Sequence, residues 1–187
     1  MNDLRCDLFW TRVRFPPPPP LYLISLKLRL YSSAYNTLEE LVINLGYACI
    51  NMELSAGPKK SRVTTNRSMI KRTFEAKGKK YASELALQNL NDLLFILKWN
   101  LANDINFFRV SSEVFPWASE YDIESLDNYE ELLVAAQRAG DFAKSNDMRL
   151  TSHPGPFNKL CSPKEGVVKN TIKDLEIHGK LFDMMGL

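Results

Sequence analysis

His153 stands in the string Ser152-His153-Pro154-Gly155-Pro156, where a strand-like pattern gives way to turn residues. An imidazole held at a strand end can ligate a divalent ion or carry protons, and it can equally be an ordinary polar loop residue. His178, the only other histidine, falls one helical turn after Leu175 and one before Phe182, a spacing that favours a packed, structural side chain. Tyr47, Trp117 and Phe157 each follow a strand-like stretch rather than lying on an apolar face. Rings so placed can stack on nucleic-acid bases, or simply pack. Glu113, Glu120 and Asp122 gather after the second such stretch, a common loop composition. Between Lys59 and Lys80 there are nine basic residues and one acid, Glu75. That segment carries +8 in a chain whose net charge is +2, so the remainder is acidic at −6. Such a cluster can engage a polyanion through counterion release, or form a solvated loop.

The elements that must hold these residues read as alternating strands and helices. Leu41–Tyr47 is an apolar stretch stopping at Gly46, and a helix is expected over Tyr81–Ala102. In that helix Ala86, Leu90, Leu93, Leu94, Leu97 and Leu101 recur at three- and four-residue steps and form one face. Ile105–Val110 is strand-like, Leu126–Ser145 helical, Met148–Ser152 strand-like and Val167–Met185 helical, with Gly186 at the final stop. Strands alternating with long helices imply parallel βα units, which place their chemistry just after the strands. Residues 1–40 differ: five prolines, Pro16–Pro20, precede the alternating Leu26-Lys27-Leu28-Arg29-Leu30. This Pro-rich arm is expected to lie outside the functional fold, as upstream sequence read in frame, or to be an interaction arm that offers its polyproline II run to an aromatic groove.

Composition narrows the classes. With 187 residues, 45% apolar and 25% charged, the sequence suits a globular protein and not a collagen-like or wholly disordered one. Cys6, Cys49 and Cys161 form no CxxC pair, so neither a disulfide framework nor a structural zinc site is indicated, and an intracellular setting is the default expectation. No apolar run reaches the length of a membrane span. GxGxxG, Walker, GxSxG and HExxH motifs do not occur.

Several strings together resemble successive blocks of the UV-damage endonuclease family. They are Leu45-Gly46-Tyr47-Ala48-Cys49-Ile50-Asn51, Thr64-Thr65-Asn66-Arg67, Glu84–Leu90, Phe108–Ser119, Ser152-His153-Pro154-Gly155, and Ser162-Pro163-Lys164-Glu165 running on to His178 and Met184–Leu187. Order and spacing agree from about Leu41 to the last residue. The resemblance implies an α/β fold: about three N-terminal βα units of a TIM (β/α)8 barrel over residues 41–187. It implies an enzyme that nicks DNA on the 5′ side of ultraviolet photoproducts by metal-assisted phosphodiester hydrolysis, with divalent ions, manganese foremost, as cofactors. Carried over by position, His153 matches a metal-binding histidine, Tyr47 and Asn51 match residues near the damaged strand, and Phe157 matches an aromatic that probes the opened duplex. Lys59, Lys60 and Arg67 then become candidate phosphate contacts, and damaged double-stranded DNA the expected partner.

Two positions depart from the family pattern. Pro156 stands where the family has a glutamine, and Glu120 where it has a histidine after the Ala-Ser pair. The ligands that complete the metal cluster are expected on later strands, in a C-terminal half beyond Leu187, so the metal site of this chain is expected to be incomplete. A DNA-binding chain without catalysis is therefore the alternative, and a sugar isomerase or epimerase of the same barrel superfamily a further one. A small neutral sugar has no use for the Lys59–Lys80 field.

Overall fold

The computed structural model describes residues 45–58 and 61–187. The Pro-rich arm, the expected start of the first strand at residues 41–44, and the candidate phosphate contacts Lys59 and Lys60 lie outside the described residues.

Three parallel strands form one sheet in the order β1 (Gly46–Ala48), β2 (Phe107–Ser111), β3 (Arg149–His153). Between and after them run α1 (Lys71–Ala102), α2 (Tyr129–Ser145) and α3 (Glu165–Met185), with short 3-10 turns at Ala118–Glu120 and Ile123–Ser125. This is the partial (β/α) barrel architecture that the sequence implies. In register, Gly46 lies beside Phe107 and Phe107 beside Arg149, while Ser111 lies beside His153. Strand side chains alternate between faces. Phe108 and Val110 are buried against the helices, and Tyr47 packs edge-on to Phe108 at 5.0 Å between ring centroids. The opposite face carries Phe107, Arg109, Ser111, Arg149, Thr151 and His153, with the Arg149 guanidinium over the Phe107 ring at 5.4 Å.

The core lies between sheet and helices. Leu90, Leu93, Ile96 and Leu97 of α1 meet Leu132, Ala135, Ala136 and Ala139 of α2, and Leu181 and Met185 of α3 close the other side. At Gly140 a Cβ would come 1.9 Å from the Met185 carbonyl oxygen, so only glycine allows α2 and α3 to approach this closely. The helix-to-strand joints share one construction. Asn103 caps the end of α1 and Asp104 turns left-handed (φ 57), after which the Ile105 amide donates to the Asn100 carbonyl at 2.9 Å. Asn146 caps the end of α2 and Asp147 turns likewise (φ 50), after which the Met148 amide donates to the Ala143 carbonyl at 2.9 Å.

The bounds of all six elements differ from the expected ones: β2 runs Phe107–Ser111 in place of Ile105–Val110, α3 begins at Glu165 in place of Val167, and the other four differ for identifiable reasons. β1 is Gly46–Ala48, so Gly46 opens the described strand instead of ending it. A Cβ at Gly46 would lie 2.4 Å from the Phe107 carbonyl oxygen, so the residue is there for close strand contact and not as a stop. α1 begins at Lys71, ten residues before Tyr81, and Gly78 (φ 64, ψ −163) breaks it. Half of the basic segment is therefore helical, which its lack of apolar period concealed. α2 begins at Tyr129, since Leu126 is buried from the preceding turn. β3 is shifted by one residue and ends on His153, not Ser152, because the ladder with β2 continues to the Ser111–His153 pair.

Candidate functional site

Parallel strands send all three following segments, 49–70, 112–128 and 154–164, from the same end of the sheet. Between them runs a groove of about 500 Å³ whose lining includes Ser68, Met69, Glu113, Trp117 and Phe157. Phe157 is 85% exposed at the tip of the third segment. Its neighbours fix it to α3: the Asn158 amide donates to the Asp174 carboxylate at 2.5 Å, and the Lys159 N–H donates to the Thr171 hydroxyl at 2.9 Å. A bare ring on an anchored turn is poised to meet an external partner.

Trp117 forms the opposite wall. Its backbone is left-handed (φ 61), an unusual state for a bulky residue. The ring stacks on Phe74 at 5.2 Å, and its Nε1 donates to the Met69 carbonyl at 2.9 Å. Those contacts make Trp117 a wall of the groove and not a free stacking ring. Tyr121 lies beside it, with its hydroxyl donating to the Pro116 carbonyl at 2.7 Å and burial pushing its phenol pKa up. Glu113 and Glu120 are exposed, and the Ser119 hydroxyl donates to Glu120.

Tyr47 and Asn51 form a unit of their own. The Asn51 amide donates to the Tyr47 hydroxyl at 2.9 Å, and that hydroxyl donates to Asn100 of α1 at 2.6 Å. The Asn51 carbonyl oxygen accepts the Glu53 and Leu54 amides at 3.1 and 3.0 Å, closing the turn after β1. Burial pushes the Tyr47 pKa up, against the lowering effect of both hydrogen bonds. The pair is thus turned toward the helix layer. Arg67 is engaged as well: its guanidinium meets Asp92 at 2.5 Å and the Thr64 carbonyl at 2.7 Å, while Asp92 also accepts the Thr64 amide at 2.8 Å.

His153 closes β3 on the face away from the helices. His178 is buried on α3, 3.8 Å from the Asp174 carboxylate, as its helical spacing suggested. Burial pushes the His178 pKa down most strongly, Asp174 draws it up, and the charge of His153 pushes it down. Among the described residues no three His, Cys, Asp or Glu side chains converge to hold a metal ion. One imidazole at His153 does not suffice for a divalent cation that requires several ligands, so the described residues do not by themselves fit the expected ions.

The sequence reading missed Asn89 and Asp92. Asn89 is fully buried and joins Arg67 to the segment after β2, and Asp92 receives Arg67 itself. A signal was present: Asn89 and Asn100 sit at the spacing of the apolar face of α1, and a polar residue there must find partners.

The family described as UV-endonuclease UvdE matches residues 43–187. The chain belongs to this family. It is 35% identical to the "UV-damage endonuclease" of Schizosaccharomyces pombe over 76% of this chain and 23% of that protein. It is 33% identical to the "UV DNA damage endonuclease" of Clostridium perfringens over 76% of this chain and 32% of that protein. The crystal structure of SacUVDE superposes with a TM-score of 0.66 at 30% identity, covering 78% of this chain and 46% of SacUVDE. The chain thus spans less than half the length of each of these UvdE relatives. Membership of this family leaves the sugar isomerase reading without support. No helix among the described residues is long and apolar enough to cross a membrane.

Proposed function

We propose that this chain supplies the duplex-gripping and damage-probing part of a DNA-repair endonuclease, with double-stranded DNA carrying ultraviolet photoproducts as its partner. The observation that carries this reading is Phe157, an aromatic ring 85% exposed over a groove at the strand ends, on a turn fixed to α3. A ring in that state gains by entering a base stack weakened by damage, where unstacking costs least. Pro156 beside it adds rigidity but no side-chain donor, so we assign the probing to Phe157 alone. The family relationship favours DNA as the ligand, and the exposed cations Arg62, Lys71, Arg72, Lys77, Lys79 and Lys80 suit phosphates.

For the chain by itself we infer binding without incision. Hydrolysis on the 5′ side of the lesion, in the family manner, calls for more ligands than His153, and further barrel strands would have to bring them. The test uses irradiated and intact duplexes of one sequence. Wild-type chain should bind the irradiated duplex more tightly, and Phe157→Ala should abolish that preference while leaving binding to intact duplex nearly unchanged. With manganese present, the chain should leave the irradiated strand intact. Equal affinity for both duplexes would overturn the probing role, and robust incision by the chain alone would overturn the division of labour.

A further inference from the structure

We propose that Asn89 is a positioning residue that sets the distance between the two walls of the groove beneath Phe157. Its side chain is fully buried and, among the described residues, hydrogen-bonded to backbone groups. The carbonyl oxygen accepts the Arg67 N–H at 3.0 Å, and the amide nitrogen returns a bond to the Arg67 carbonyl at 3.0 Å. That reciprocal pair treats Arg67 as a neighbouring strand would. The same nitrogen donates to the carbonyls of Glu113 at 3.1 Å and Val114 at 3.2 Å. An amide NH2 has two hydrogens for three acceptors, so one N–H is shared.

One side chain of α1 therefore ties the segment after β1 to the segment after β2. Immediately beyond these ties, Ser68 and Met69 on one segment and Glu113 and Trp117 on the other line the groove. The Trp117–Met69 bond is a second tie across the same gap. Helix packing alone would not select asparagine here, because its neighbours on the face, Ala86, Leu90 and Leu93, are apolar. Aspartate would keep the acceptor and face three carbonyl oxygens with a negative charge. Alanine would free both segments. That the groove receives DNA rests on the reading above, whereas the tie itself does not.

The test uses the full chain with Trp10 and Trp99 changed to Phe, so that Trp117 is the sole indole. In Asn89→Ala and Asn89→Asp proteins whose circular dichroism is native, Trp117 emission should shift to the red and its quenching by acrylamide should rise. The preference for irradiated duplex should fall in parallel, with Phe157 intact. A merely structural asparagine would lower the melting temperature and leave Trp117 and the preference unmoved, which would overturn the proposal. A measurement on wild type covers the case in which the variants do not fold. The Arg67 amide, although outside any helix or strand, should exchange with solvent as slowly as helix amides, and free exchange would overturn the tie. If wild type lacks any preference for irradiated DNA, the functional reading fails while Arg67 exchange and Trp117 emission still decide the clamp.

Discussion

Single buried polar groups carry much of the organisation at the mouth of the sheet, and His178 shows how one of them makes stability depend on pH. Its imidazole is buried on α3 with Nε2 lacking a hydrogen-bond partner among the described residues, and burial pushes its pKa below the ordinary 6.5. Above 6.5 the ring is neutral in folded and unfolded chains alike, and its full contribution to stability is present. As pH falls through 6.5 the unfolded chain takes up the proton first, so stability is lost down to the lowered folded value. The melting temperature should therefore drop as the pH falls through and below 6.5, and His178→Gln should remove part of that slope. An unchanged slope would mean that other groups set the acid limit. Asn51 and Asn89 are buried without titrating, and each commits its side chain to partners that fix a loop, while buried Asn100 uses its carbonyl oxygen to fix the Tyr47 ring.

At the scale of elements, the left-handed aspartates after α1 and α2 are the clearest place to intervene. An L-residue meets a steric penalty there that glycine avoids, and neither Asp104 nor Asp147 is buried. Asp104→Gly and Asp147→Gly should each raise stability by up to about 1 kcal/mol, read as a higher denaturation midpoint at unchanged slope. A lowered midpoint would show that the carboxylates serve the turns. Much of this layer was legible in the sequence. The apolar steps from Ala86 to Leu101 located α1, and Gly186 located the end of α3, since both signals are local. The first turns of α1 were not legible, because Lys71–Lys80 has charge without apolar period and Gly78 reads as a break. The site was half legible. His153 and Phe157 stand at strand-end turns where their types invite attention. The engagement of Tyr47 with Asn100, and of Arg67 with Asp92, joins residues 53 and 25 positions apart, which no local pattern encodes.

For the molecule as a whole, the cations are unevenly committed, and that bears on binding. Arg67 is enclosed by Asp92 and backbone carbonyls, while Arg72 and Lys80 are exposed on α1. Replacing Arg72 and Lys80 with alanine should weaken binding to irradiated and intact duplex alike, and should flatten the dependence of log affinity on log salt by up to ~0.9 for each phosphate no longer neutralised. A slope that stays put would show these cations to be bystanders. The register of the sheet has a consequence of another kind. β1 finds its partner at Phe107, about 60 residues further along the chain, and nothing nearer pairs with it among the described residues. At ~5–20 residues per second of synthesis, β1 waits roughly 3–12 s on the ribosome before β2 has been made. A strand of only three residues is a poor template for stray pairing during that interval, so its shortness protects the nascent chain until the right neighbour arrives.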